Sequence, residues 1–119
     1  MTSKEVYEQT NSDYEDAMER LGSEKLISKY LLKFMELTDF NDMIKAISIK
    51  DWDNGFKTSH NLKGIALNMS FTELARSGSE LCDTMRHGAP KSDISELVNK
   101  VSADYQAIME VLKKFKDEM

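Results

Sequence analysis

The chain has 119 residues and a formal net charge of −5, and 40% of its residues are hydrophobic. This size suits one domain with a single core, and the acidic balance argues against a nucleic-acid-binding protein, which would present a clustered basic face. The single cysteine, Cys82, excludes a disulfide within the chain, and no metal-ligand cluster surrounds it. No apolar run reaches the about 18 residues of a membrane span, and residues 1–5 lack the apolar core of a signal peptide. These features predict a cytoplasmic protein.

The first part of the chain predicts a leader and then a short helix. Residues 1–12 are polar and weakly patterned, so we expect a flexible leader. Asn11, Ser12 and Asp13 are candidate N-caps for a helix that carries apolar residues up to Leu21. Gly22 suits the position just after its end, where a left-handed backbone is common.

The next segment, residues 23–49, is helical in pattern but ambiguous in its division. Ser23 is expected to cap a helix whose broad apolar stripe runs from Leu26 to Leu37. Asp39 is a candidate cap for a following stretch that ends near Lys50. The pattern is compatible with one kinked helix and with two separate helices.

Residues 51–69 form a helix with two distinct faces when they are placed on the helical period of about 3.6 residues. Asp51 is the expected N-cap, and the apolar and small side chains between Trp52 and Met69 share one side, with Leu62 near its centre. His60 lies almost opposite Leu62. The histidine is therefore predicted to face away from the core.

Two further helices complete the chain. Ser70 followed by Glu73 makes a capping-box pattern for a helix that stops near residues 87–88. Ser92 and Asp93 are expected to begin the longest helix, whose apolar residues recur at three and four spacing as far as Phe115.

These elements predict an all-α protein, an antiparallel four-helix bundle with a short extra N-terminal helix and with residues 13–119 as the bundle domain. One proline, five glycines and no alternating β-branched runs argue against a β fold. The apolar spacing of the last helix is also compatible with a coiled-coil dimer. Because the other helices can cover that stripe within the chain, a monomer is expected.

The neighbours of His60 distinguish it from an ordinary surface histidine. Lys63 at i+3 and Lys57 at i−3 bring two cations to the same surface. Gly64 at i+4 stands in mid-helix, where glycine costs about 1 kcal/mol relative to alanine, so its presence predicts that space is needed beside the ring. An exposed imidazole with free space and two cations suits a group that transiently carries a dianion such as phosphate.

The run His60-Asn61-Leu62-Lys63-Gly64 resembles the His-x-Leu-Lys-Gly signature of histidine-containing phosphotransfer (HPt) domains of multistep two-component phosphorelays. Together with the predicted order of the helices, which also matches the family, the resemblance covers roughly residues 13–117. Ser70 and Phe71 depart from it, because the family often has Gly-Ala there, and Ile65 replaces a commonly smaller residue.

The resemblance implies a phosphocarrier rather than a free-standing enzyme. His60 would be phosphorylated through Nε2 by the aspartyl phosphate of a receiver domain, Lys63 and Lys57 would stabilise the phosphate, and Gly64 would leave room for it. No cofactor is expected, because Mg²⁺ would come from the receiver. The chain has no nucleotide-binding loop, so no autokinase activity is expected. The upstream kinase, the downstream regulator, the signal and the direction of phosphate flow are left open.

A docking patch is predicted on the His60 side of the helix. Phe56 and Leu67 flank that side, and Asp53 and Asn61 rim it. The alternative for Phe56 is that it packs on a neighbouring helix. The expected partners are receiver domains of response regulators or of a hybrid sensor kinase, with neither nucleic acid nor membrane. The rival functions are a helical adaptor that never carries phosphate and a phosphotransfer module of a larger hybrid or chemotaxis-type kinase.

Overall fold

A computed structural model describes residues 1–119, whose regular secondary structure is all helical, with no β-strand. The helices pack largely in chain order, with α4 on α5, α5 on α6 and α6 on α7, while α1 and α3 contact α7 and α2 packs on α3. The all-α prediction is confirmed. The seven helices are α1 (Ser3–Gln9), α2 (Tyr14–Leu21), α3 (Glu24–Phe34), α4 (Asp39–Ser48), α5 (Trp52–Asn68), α6 (Thr72–Thr84) and α7 (Ser95–Asp117).

The prediction of a flexible leader at residues 1–12 was wrong, because this stretch contains α1. Thr2 and Glu5 form a reciprocal capping box at its start. Val6 and Tyr7 are fully buried, and the Tyr7 hydroxyl donates a hydrogen bond of 2.8 Å to the carbonyl of Met69. The Thr2–Glu5 pair is a local signal, whereas the bond of Tyr7 joins residues 62 positions apart, which no local pattern reports.

The boundaries of α2, α3 and α4 follow mostly local signals. Asp13 caps α2, and Gly22 adopts a left-handed backbone with φ of 89° just after it. The Ser23 hydroxyl caps α3 as predicted. Residues 23–49 form two helices, and Thr38 rather than Asp39 occupies the N-cap position of α4.

Helix α5 carries His60, and small residues on its inner face let α6 approach it closely. The Asp51 carboxylate accepts a hydrogen bond from a backbone N–H of the first turn, as predicted. A Cβ placed on Gly55 would lie only 2.8 Å from the Sδ atom of Met85, the residue that follows α6. A side chain at position 55 would therefore force the Met85 side chain to shift. The buried residues of α5 are Gly55, Ser59, Leu62 and Ala66.

The predicted capping box of Ser70 and Glu73 was wrong. Phe71 holds the N-cap position of α6 and makes no side-chain cap, and Ser70 has a left-handed backbone with φ of 58°. The Ser70 hydroxyl donates a hydrogen bond of 2.6 Å to Asp16, while Glu73 pairs with Arg76 at 3.1 Å. Ser70 thus ties α2 to the connection between α5 and α6.

The last two helices differ from prediction only at their ends. Helix α6 ends at Thr84, before the predicted stop, and α7 begins at Ser95, where the Asp93 carboxylate accepts hydrogen bonds from both the N–H and the hydroxyl of Ser95. No helix in the chain combines the length and the apolar character needed to cross a membrane. The predicted inward stripe of α7 is confirmed for the buried residues Val101, Tyr105, Ile108, Leu112 and Phe115.

Candidate functional site

His60 lies on the exposed side of α5, opposite the buried Leu62, as predicted. Because Cα–Cβ bonds tilt toward the N-terminus of a helix, long side chains extend back over the preceding turn. The imidazole accordingly stacks on Phe56, with ring centroids 5.7 Å apart and ring planes inclined by 25°. One side of the histidine ring is therefore occupied by a neighbour from its own helix.

The other side of His60, toward the C-terminus of α5, opens into a shallow depression. A Cβ placed on Gly64 would meet no atom within 4 Å, so the free space inferred for this position exists. The depression contains a single acidic group, the Asp39 carboxylate at the start of α4. Its lining residues are Asp39, His60, Asn61, Gly64, Ile65 and Asn68.

The two lysines near His60 are placed differently from each other. Lys57 pairs with Asp53, with 3.1 Å between Nζ and Oδ2, and both side chains are exposed. A surface pair of this kind contributes little to stability, but it directs the lysine toward Asp53. Lys63 belongs to no ion pair within 4.0 Å. Unlike Lys57, Lys63 therefore carries a positive charge that no acidic side chain pairs with.

Lys63 lines a groove between α2, α5 and α6, next to the His60 side of α5. Arg20 and Arg76 line the same groove, together with one acidic residue, Asp16. Leu67, one of the residues predicted for docking, also lies there and is 47% exposed. Arg20 is paired with Asp16 and Arg76 with Glu73, so Lys63 supplies the unpaired positive charge of the groove, beside an exposed apolar side chain.

A second groove lies on the opposite flank of α5, against α3. It shares Ile65 and Asn68 with the depression beside His60. Lys33 and Arg20 are its cationic members. A protein surface that covers His60 would therefore also meet the side chains of α3. The apolar lining residues are Leu21, Tyr30, Phe34, Leu37, Ile65 and Met69.

Arg86 belongs to the site although sequence reasoning did not find it. Its guanidinium lies 5.3 Å from the ring centroid of Phe56 and donates a hydrogen bond of 2.8 Å to Asp83. That bond, with a smaller contribution from the charge of Lys63, lowers the pKa of the Asp83 carboxyl. Arg86 follows α6, far along the chain from Phe56, so no local spacing signals their proximity.

Other candidate groups do not form a reactive centre. No three histidine, cysteine or acidic side chains are grouped so as to hold a metal ion. Cys82 is a free, buried thiol, as expected for a small core residue, and His87 is exposed in the connection between α6 and α7. His60 is the imidazole that combines exposure with a stacked neighbour and adjoining free space.

Neither a scan against protein-family models nor searches among curated proteins and solved structures found a match to this chain.

Proposed function

We propose that this chain is a histidine phosphotransfer protein that carries a phosphoryl group on His60 to or from receiver-domain aspartates in two-component signalling. The observation that carries the proposal is an exposed imidazole beside the open space at Gly64, on a helix whose opposite face is buried. A mid-helix glycine with no packing partner has no structural benefit there. Free space for a phosphoryl group accounts for it.

The proposed reaction needs no cofactor bound to this chain. The Nε2 lone pair of neutral His60 attacks the phosphorus of the aspartyl phosphate and forms an N–P bond. The P–O bond to the aspartate breaks, the carboxylate leaves with the electron pair, and the Nδ1 proton passes to water. Mg²⁺ held by the receiver offsets charge on the transferring group, and positioning with charge stabilisation accounts for most of phosphoryl-transfer catalysis.

The charges around His60 suit a carrier that passes its phosphate on. Lys63, which has no ion-pair partner, supplies positive charge on the same helix. Lys57 must leave Asp53 before it contributes. The Asp39 carboxylate lines the depression and repels a dianion placed there, which favours onward transfer over retention.

The proposed partner is a receiver domain that covers the His60 side of α5. It would contact Asn61 and Leu67, with the groove that contains the unpaired Lys63 on one flank and the apolar groove of α3 on the other. Such a surface fits a partner with apolar side chains rimmed by acidic ones, because electrostatic complementarity guides orientation and association. Phe56 is half-buried, so it contributes less to docking than its position alone predicted.

The architecture that accompanies this function is an antiparallel four-helix bundle, proposed here with α3 and α4 together as one side and with α5, α6 and α7 as the others. Consecutive packing of α4, α5, α6 and α7 through short connections supports it, since short loops join antiparallel neighbours. In this arrangement α1 and α2 are additions, and the chain acts as a monomer.

Transfer from a receiver tests the function directly. A panel of receiver domains, phosphorylated with radiolabelled acetyl phosphate, is incubated with the wild-type chain and with His60→Gln. We expect label on the wild type that is lost in acid and survives alkali, and no label on His60→Gln, whose circular dichroism and melting temperature remain near those of the wild type because the side chain is exposed. If no receiver labels the folded wild type, the proposal fails and the adaptor alternative replaces it.

A further inference from the structure

Phe56 links the exposed histidine to the packed interior of the domain. Its ring is half-buried and packs against the hydrophobic core. The same ring carries the imidazole of His60, at a centroid separation of 5.7 Å. An offset-stacked geometry with this spacing is a favourable arrangement for two aromatic rings.

Phe56 is in turn held by a second contact, from Arg86 just after α6. The guanidinium of Arg86 lies 5.3 Å from the centroid of the Phe56 ring, within the range of a cation–π interaction. Asp83 fixes Arg86 through the 2.8 Å hydrogen bond. The ring that supports His60 is thus contacted both by the core and by Arg86.

We propose that Phe56 is a positioning residue that holds the imidazole of His60 in one orientation, with one ring face covered by Phe56 and the other left open, and that Arg86 braces Phe56. This assignment differs from the docking role predicted for Phe56, and its relevance to transfer rests on the proposed function. An unsupported surface imidazole samples several staggered rotamers. A held imidazole presents its lone pair to a large, oriented partner without that search.

Nuclear magnetic resonance of the unphosphorylated protein tests the orientation without any partner. We expect the ring protons of His60 to be shifted upfield by the Phe56 ring current and to show nuclear Overhauser effects to it. His87, which has no aromatic neighbour, is the internal reference. The shifts should be lost in Phe56→Leu and kept in Phe56→Tyr. His60 signals that resemble those of His87 in the wild type would overturn the proposal.

Transfer kinetics separate positioning from docking. With a phosphorylated receiver at varied concentration, Phe56→Leu should lower the maximal rate about three- to tenfold, the range expected when an aromatic pair no longer selects one rotamer, with KM unchanged. Phe56→Tyr should restore the rate, and Leu67→Ala, an exposed docking residue, should instead raise KM. A raised KM with an unchanged maximal rate in Phe56→Leu would assign Phe56 to docking and overturn the proposal.

A small phosphoryl donor supplies the control for reactivity. With phosphoramidate, Nε2 attacks phosphorus and ammonia leaves, and a freely diffusing donor needs no fixed imidazole. Phe56→Leu should therefore react within about twofold of the wild type, because the intrinsic nucleophilicity of the imidazole is unchanged. An equal loss with phosphoramidate and with the receiver would show general damage to the site and overturn the positioning role. If no receiver transfers phosphate at all, the proposed function fails, while the magnetic resonance result still decides whether Phe56 holds the ring.

Discussion

Gly64→Ala should stabilise the domain, although the position belongs to the candidate site. No atom lies within 4 Å of the added methyl group, so no clash opposes the gain in helix propensity. Alanine is favoured over glycine in a helix interior by about 1 kcal/mol. For a domain of this size that gain corresponds to a rise in melting temperature of about 3–6 °C. The measurement is thermal and urea unfolding followed by circular dichroism.

Gly55→Ala is the matched control, because it makes the same change in the same helix. There the new Cβ would lie 2.8 Å from the Sδ atom of the buried Met85. The Met85 side chain must shift to admit the methyl group, and the cost of that shift opposes the propensity gain. Gly55→Ala should therefore gain less stability than Gly64→Ala, and an equal gain in both variants would show that the space at the two glycines does not differ.

A larger side chain at position 64 tests whether the phosphoryl group uses the open space. Gly64→Val fills the open space with a branched group, and its stability should remain close to that of the wild type because valine has a lower helix propensity than alanine, by about 0.6 kcal/mol. Transfer from a phosphorylated receiver should fall at least about tenfold as the phosphoryl group loses its place. Loss of stability in Gly64→Ala would refute the open-space assignment. Full transfer by Gly64→Val would show that the phosphate does not use that space.

Three further predictions concern the surroundings of the site. Lys63→Ala should slow transfer roughly three- to tenfold through loss of one partly screened charge, with normal folding by circular dichroism; an unchanged rate would remove Lys63 from the reaction. Tyr7→Phe should lower the free energy of unfolding in urea by about 1 kcal/mol, because the buried carbonyl of Met69 loses its donor, and a neutral effect would contradict that bond. A hydrogen bond from Ser70, followed in size by one from Arg20, lowers the pKa of the Asp16 carboxyl in the folded protein. The stability that these bonds give to the fold is therefore fully present above about pH 4, and it is lost as the pH falls through the lowered folded-state pKa. Ser70→Ala should therefore be less stable than the wild type at neutral pH, with a deficit in urea midpoint that shrinks in acid, and a deficit independent of pH would exclude this linkage.

The features predicted correctly depend on residues close together in the chain. The two faces of α5, its cap at Asp51 and the exposure of His60 follow from helical periodicity and from a side chain that bonds within one turn. The open space at Gly64 follows from the same logic, since an unexplained mid-helix glycine is informative by itself. Local pattern was sufficient to place the imidazole and its free side.

The features missed depend on contacts between distant segments. Ser70 and Glu73 have the spacing of a capping box, but the Ser70 hydroxyl donates its hydrogen bond to the Asp16 carboxylate of α2 instead. Arg86 reaches the ring of Phe56 only because α6 packs closely on α5. Helix propensity and capping rules describe a chain segment alone, so they cannot report which tertiary partner competes for a side chain.

The burial of α1 has a consequence for the order in which a newly made chain acquires its structure. A seven-residue helix is not stable alone in water, and early in synthesis α1 finds only its neighbours α2 and α3. The Tyr7 hydroxyl has no acceptor until Met69 has been made, and the contact with α7 waits until that last helix has been added. At roughly 5–20 residues per second, α1 spends several seconds on the nascent chain without its final partners. Helix α1 is thus fixed in place only after partners that are translated well after it, and it then secures the end of the helix that carries His60.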